Sequence, residues 1–181
     1  MEGSPSEIVR FWREAGPALW FKKDLAFDDE IRFRFLSTVE AAFAGRLSAW
    51  ESSDEGLLAL VLLFDQFTRN IWRDDARAFS GDLRALALSR LAIERGVDLR
   101  MGEAERCWFY MPFMHSEDLA AQQAGMEYFA TRLDDPGTLK FAQIHLDIIE
   151  RFGRFPHRNV LLGRETGVEE QAFLDEGGFK G

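Results

Sequence analysis

Residues that could do chemistry concentrate in three short segments of the chain. The first is DQFTRN at residues 65–70, which directly follows a run of apolar residues. Asp65 and Arg69 are four residues apart, the spacing of a helix ion pair. Gln66 and Asn70 have the same spacing on the adjacent strip of the helix surface. Two interpretations stay open: a polar network that ties one end of a buried helix to its neighbours, or a patch that faces a ligand.

The second segment is MPFMHSED at residues 111–118. It places His115 just before a predicted helix and puts Glu117 and Asp118 in the first turn of that helix. A helix dipole alone favours carboxylates at this position, so capping explains both acidic residues. His115 has no such explanation and is a candidate functional residue.

The third segment spans residues 143–159 and begins on a predicted helix. His145 lies on the apolar stripe of that helix, where a histidine is more often a buried structural residue than a ligand. A tight turn around Pro156 follows, and loops of this kind often carry binding groups. Four polar residues crowd this turn: Arg154, His157, Arg158 and Asn159.

All three histidines of the chain therefore lie in these segments. A hydrolase-type enzyme would use one of them as general base, with Asp65 or Glu117 to orient the imidazole. The sequence has no metal-binding HExxH or HxxxH spacing, no glycine-rich phosphate loop, no GxSxG elbow and no CxxC pair. We predict neither a metal nor a cofactor. Catalysis stays open, and the balance favours a protein that is not an enzyme.

The elements that must position these segments are helices. Their start signals include two predicted capping boxes, at Ser4-Glu7 and at Thr166-Glu169, and their stop signals include Gly96 and Gly153. No strand pair or long linker is evident. We predict a single all-α domain over residues 1–181, without a significant sheet. The predicted helices run from Ser4 to Gly16, Asp28 to Gly45, Ser52 to Trp72, Asp82 to Gly96, Glu103 to Tyr110, Ser116 to Leu133, Thr138 to Gly153 and Thr166 to Leu174.

Charge and hydropathy exclude several classes of partner. The 181 residues carry a net charge of −9, and a field of that sign repels nucleic acids and anionic membranes. The longest apolar run, Leu57 to Phe64, has eight residues, whereas a membrane helix needs about 18. The N-terminal sequence does not resemble a signal peptide, so we expect a cytoplasmic protein. A single cysteine, Cys107, excludes an intrachain disulfide, and the oligomeric state stays open.

The three motifs, read as DQFTRN, YMPFMHSED and RFGRFPHRN and followed by LGRETGVEEQAFL, resemble a bacterial family catalogued as domain of unknown function 924. The resemblance covers nearly the whole chain. It implies a tetratricopeptide-like right-handed superhelix of about seven to nine antiparallel helices, although no repeat of about 34 residues is visible. Many relatives carry proline in place of Thr68. The resemblance assigns no activity, but it implies a shared pattern made of Asp65, Gln66, Arg69, Asn70, His115, Glu117, His145, Arg154, His157, Arg158 and Asn159.

The leading hypothesis is a binding scaffold with an Arg/His/Asn-lined groove that takes a small anionic ligand or a peptide. Arginines supply charge-assisted hydrogen bonds to carboxylates and phosphates, which suits such a ligand. One alternative is the hydrolase with His115, His145 or His157 as base; another is a protein-interaction module whose polar segments are purely structural. The candidate ligand-binding residues are Asp65, Gln66, Arg69, Asn70, His115, Arg154, His157, Arg158 and Asn159.

Overall fold

The computed structural model describes residues 2–179, most of which are helical. No residue in this range forms a β-strand, so the predicted all-α class is confirmed for it. No helix within residues 2–179 is long and apolar enough to cross a membrane. The chain divides after Pro112 into two compact units, and the prediction of one domain stays a prediction.

The first unit consists of α-helices joined by short loops and 3-10 turns. The helix predicted from Ser52 to Trp72 is interrupted by a π-helical turn at Leu62–Phe67 between α4 and α5. The 3-10 turns lie at Ser48–Ser52, Ala76–Phe79 and Cys107–Phe109. The helices are α1 (Pro5–Ala15), α2 (Pro17–Trp20), α3 (Leu25–Phe43), α4 (Asp54–Val61), α5 (Thr68–Ile71), α6 (Asp82–Glu94), α7 (Val97–Arg100) and α8 (Glu103–Arg106).

Local signals explain where α1 begins and ends. The Ser4 hydroxyl accepts a hydrogen bond from the Glu7 amide at 3.3 Å, and Pro5 occupies the first helical position. Gly16 ends the helix with a φ of 69°, a conformation that glycine adopts without strain. The N-terminal capping and the stop predicted at Gly16 are therefore confirmed.

The start predicted for α3 at Asp28 is wrong. The helix begins at Leu25, and Asp24 caps it by accepting hydrogen bonds from the amides of Ala26 and Phe27. Asp28 is instead buried within α3, with 3% of its surface exposed. A carboxylate can stay buried only when it is paired, and the partners of Asp28 come from a distant part of the sequence.

Aromatic side chains fill the core of the first unit. Phe35 lies with its ring centroid 5.0 Å from that of Phe11 and 5.2 Å from that of Phe67. Trp12 packs against Phe67 at 5.6 Å. These rings come from α1, α3 and the π-helical turn, so the core holds the turn in place. Close aromatic pairs of this kind add stability beyond their area of burial.

The second unit is a smaller group of helices in which α10 packs against α11. Its core is formed by Ile148, Ile149 and Phe155, none of them more than 4% exposed. Gly153 ends α11 with a φ of 69°, as its position predicts. The helices are α9 (Met111–Met114), which spans the division between the units, α10 (Leu119–Arg132), α11 (Pro136–Phe152) and α12 (Val168–Asp175), with a 3-10 turn at Pro156–Arg158.

Three predicted helix boundaries in this region are wrong by a few residues. Helix α11 begins at Pro136, with Asp135 as its cap, and not at Thr138. Asp118, not Ser116, caps α10 by accepting from the Ala120 amide. The last capping box is shifted by one residue, because Glu170 accepts from the Gly167 amide at 2.7 Å.

Candidate functional site

The first polar segment lies on the π-helical turn and on α5. In a π-helical turn the backbone hydrogen bonds close one residue farther along the chain than in an α-helix, and such turns are frequent at functional sites. Asp65 lies inside this turn with 0% of its surface exposed, and Gln66 is 8% exposed. The apolar residues before the π-helical turn contain no pattern that predicts it. The sequence therefore could not show that the helix period shifts here.

Arg69 neutralises two carboxylates of the first unit. Its guanidinium lies 3.5 Å from the Asp65 carboxylate and 3.0 Å from that of Asp82. Burial lowers the pKa of Arg69, but the charges of Asp82 and Asp65 outweigh it and raise the pKa above its usual value. The predicted pair of Asp65 and Arg69 is present, and Asp82, which lies outside all three motifs, completes it.

Asn70 also bonds within the protein. Its side-chain amide donates to Asp28 at 2.8 Å, and Arg73 donates two hydrogen bonds to the same carboxylate. Gln66 likewise donates to the carboxylate of Asp65. The first polar segment thus forms a buried network with partners 13 and 42 residues away, which favours the structural interpretation for this segment.

The second and third segments bring the three histidines together in the second unit. The ring centroids of His115 and His145 are 6.3 Å apart. His145 lies 5.4 Å from Phe155 and 4.5 Å from Phe179, and His157 lies 5.6 Å from Phe155 and 5.4 Å from Phe179. We call these five residues the histidine cluster. Phe155 and Phe179 were not among the predicted site residues, because apolar rings carry no chemical signal in the sequence.

Arg158 borders the histidine cluster. Its guanidinium lies over the ring of Phe155, 4.6 Å from the centroid, and donates to the backbone carbonyl of His115 at 3.0 Å. The residue is only 6% exposed. A cation held over an aromatic face in a buried setting is favourable. Arg158 thus links the loop after α11 with the segment before α10 and places a positive charge beside the histidines.

His145 is the most perturbed histidine of the cluster. Burial lowers its pKa, the positive surroundings of His115, Arg158 and His157 lower it further, and the resulting pKa is about 3. Its Nδ1 lies 2.7 Å from the carbonyl oxygen of Phe141, which can only accept a hydrogen bond. His145 is therefore neutral at pH 7, with the proton on Nδ1 and a lone pair on Nε2.

Glu117 does not orient a histidine, contrary to the role considered for it. Both of its oxygens accept from Arg164, at 2.6 and 2.9 Å, and one accepts from the Phe155 amide at 2.8 Å. Burial raises its pKa, but these donors outweigh burial and hold the pKa below its usual value. Glu117 therefore fixes the backbone of Phe155 beneath the cluster. Arg164 was not among the predicted site residues, because it lies outside the three motifs.

The guanidinium of Arg154 is also bound within the protein, so it is not available to bind a ligand as predicted. It donates to both carboxylate oxygens of Glu170, at 2.7 and 2.8 Å, and to the carbonyl of Glu165. The bond from Arg154 lowers the pKa of Glu170 to about 2, despite the opposing effect of burial. Asn159 is fully buried next to this pair, with Thr166 as a neighbour at 3.5 Å. These residues fasten the loop to the start of α12.

The candidate site residues are divided between the two units. Asp65, Gln66, Arg69 and Asn70 belong to the first unit, and His115, Arg154, His157, Arg158 and Asn159 belong to the second. Within residues 2–179, no group of three or more His, Cys, Asp or Glu side chains has an arrangement that could hold a metal ion. The histidine cluster with Arg158 is the place where predicted residues from two different motifs converge.

Comparison with known proteins agrees with the motifs. The family model described as "Bacterial protein of unknown function (DUF924)" matches residues 8–178. A solved structure of a protein of unknown function from Agrobacterium tumefaciens is 44% identical in sequence and superimposes with a TM-score of 0.91. The match covers 96% of this chain and 97% of that one. The comparison with curated proteins gives no match.

Proposed function

Because this chain belongs to the bacterial family of unknown function DUF924, as its motifs predict, we propose a function from its own geometry: it is a binding protein that takes a small anion. The ligand is a carboxylate, either of a small molecule or of a peptide. The site lies in the second unit, at the histidine cluster and Arg158. We also propose that the helices are arranged as the tetratricopeptide-like superhelix that the resemblance implies.

The observation that carries the proposal is that His145 and His157 both lie against Phe155 and Phe179, with His115 next to His145. The three histidines come from α11 and from the segments before α10 and after α11. Imidazole rings that meet in this way between apolar rings give a ligand both a hydrophobic surface and polar nitrogens, the usual combination in a small-molecule site.

The charge of the surroundings favours an anion. Three neighbours of His145, namely His115, Arg158 and His157, each make its protonation harder. Because the guanidinium of Arg158 is always charged, the field at the imidazole is positive, although the chain as a whole carries a net charge of −9. An anion in such a place gains attraction from Arg158 and makes protonation of the histidines easier.

The test is an NMR titration of the three imidazoles with succinate and, separately, with inorganic phosphate. We expect succinate to shift the His145 and His157 signals in a saturable manner and to raise the pKa of His145 by about one unit or more. Succinate should bind more tightly than phosphate if the site is built for a carboxylate.

Two variants with matched chemistry make the test specific. Arg158→Gln removes the buried cation and should weaken succinate binding by about tenfold or more. Arg151→Gln makes the same change at an exposed residue of α11 and should leave binding unchanged. His157→Gln provides a second variant in case Arg158→Gln does not fold. The proposal would be refuted if neither anion shifted the imidazole signals. It would also be refuted if the two arginine variants bound succinate with equal affinity.

A further inference from the structure

A concave pocket of about 320 Å³ lies in the first unit. Three of its lining residues are tryptophans: Trp12 from α1, Trp20 from α2 and Trp108 from the 3-10 turn after α8. Exposed residues 102–104 form part of its rim. None of its residues belongs to the histidine cluster, so the inference below stands independently of the proposed function.

The three indoles have a defined mutual geometry. Trp12 and Trp20 are nearly parallel, with an interplanar angle of 17° and centroids 6.1 Å apart. Trp108 is close to perpendicular to both, at 78° and 86°, with centroids 5.2 and 4.9 Å away. The Trp20 Nε1 donates to the backbone carbonyl of Trp12 at 2.7 Å, which fixes the more exposed ring. The aromatic wall is therefore preorganised before any ligand arrives.

The charged residues of the pocket are two acids and one base. Glu103 and Glu105, both on α8, line the pocket together with Arg13. Arg13 forms an ion pair with Glu105. The lining thus has one carboxylate more than guanidinium, and the surrounding protein is acidic. This balance disfavours anions and attracts cations.

We propose that this pocket binds an organic cation of the quaternary-ammonium type, with the cationic head against the partly exposed indole of Trp20, which the buried rings of Trp12 and Trp108 hold in place. Tryptophan is the best aromatic partner for a cation, and aromatic enclosures are a recurrent means of recognising methylated ammonium groups. A quaternary ammonium has no N–H donors, so it loses no hydrogen bonds when it leaves water for an apolar wall.

The test is isothermal titration of the full chain with choline chloride and with its uncharged carbon isostere, dimethylbutanol. The two probes have the same shape and differ in charge. We expect saturable choline binding with a dissociation constant of about 1 mM or lower and binding of the isostere that is about tenfold weaker or more. Equal affinity for the two probes would reduce the pocket to a hydrophobic cleft and overturn the proposal, as would no saturable binding of choline.

Variants separate the pocket from general effects on folding. Trp20→Leu keeps an apolar side chain but removes one indole, and it should weaken choline binding by about tenfold. Trp50→Leu makes the same change at a residue outside the pocket and should leave affinity unchanged. Glu105→Gln should weaken binding by about threefold or more, because it leaves Arg13 as an unpaired cation at the rim. Tighter binding of benzoate than of choline would show that Arg13 sets the selectivity, and would refute the proposal.

Discussion

His145 donates a hydrogen bond from Nδ1 to the carbonyl oxygen of Phe141, 2.7 Å away and one helical turn earlier on α11. This bond selects one neutral tautomer, and it lies within a helix whose apolar side forms the core of the second unit. The sequence predicts a buried, structural histidine at this position, and the burial is confirmed. The same bond leaves the Nε2 lone pair within a cluster of other histidines, so a structural histidine and a ligand-binding one are not mutually exclusive here.

The depressed pKa of His145 predicts that acid destabilises the protein well above the range in which carboxylates titrate. The folded pKa is about 3 and the unfolded value is 6.5. The stabilisation is therefore complete above the unfolded pKa and is lost as pH falls from 6.5 toward 3, where the unfolded chain takes up a proton that the folded chain does not. The slope from this one group reaches about 1 kcal/mol per pH unit.

Urea denaturation of the wild type and of His145→Gln, between about pH 5 and pH 8, measures this effect. The difference in unfolding free energy between the two proteins should shrink as pH falls below about 6. A difference that is independent of pH would show that His145 has the same pKa in the folded and the unfolded protein.

Glu117→Gln should destabilise the second unit. The change removes a charge that Arg164 and the Phe155 amide bind through three hydrogen bonds, and it leaves a half-buried guanidinium without its partner. We expect a loss of about 2 kcal/mol in unfolding free energy at pH 7. Because the folded pKa of Glu117 is lowered, the loss should diminish as pH falls through that pKa.

Glu150→Gln is the matched control, since Glu150 is exposed on α11. It should change stability by no more than about 0.5 kcal/mol. Thermal and urea unfolding of the three proteins in parallel provide the measurement. Equal stability of the two variants would show that the bonds to Arg164 and Phe155 contribute nothing.

Thr68→Pro should be tolerated despite its position between helical segments. The Thr68 amide follows the π-helical turn and bonds to the nearby Gln66 carbonyl, and its φ of −58° suits proline. The main loss is the bond from the Thr68 hydroxyl to the Phe64 carbonyl at 2.9 Å. We expect a cost of about 1 kcal/mol.

Thr131→Pro in α10 is the comparison, because the Thr131 hydroxyl also bonds to the carbonyl four residues earlier. Thr131 lies in a regular α-helix, where proline removes a backbone bond and clashes with the preceding turn, at a cost of about 3 kcal/mol. Circular dichroism during thermal unfolding gives both values. Equal costs would mean that the π-helical turn does not prepare the chain for proline.

Local features of this fold could be predicted from the sequence, whereas its long-range contacts could not. Ser4, Gly96 and Gly153 act on their own helix ends, so their roles follow from neighbouring residues. The correct cap of α3 could not be separated from Asp28, because two aspartates four residues apart compete for one helix start and only tertiary burial decides between them.

The same distinction applies to the candidate sites. Motif residues can be recognised by their type. Arg73, Asp82 and Arg164 look like ordinary surface residues in the sequence, because only the fold brings each of them to a residue of opposite charge. The histidine cluster required residues 30 and 12 positions apart to meet around two phenylalanines. Nothing in the spacing of His115, His145 and His157 encodes that meeting.

The π-helical turn of Leu62–Phe67 also bears on how this sequence can change in length. Because its hydrogen bonds close one residue farther along than those of α4 and α5, the turn accommodates an additional residue within a continuous rod. Loss of a single codon there would leave a regular helix of the same span, whereas the same loss inside α11 would rotate every later side chain away from its partners. We therefore expect the fold to tolerate the insertion or deletion of one residue at the π-helical turn.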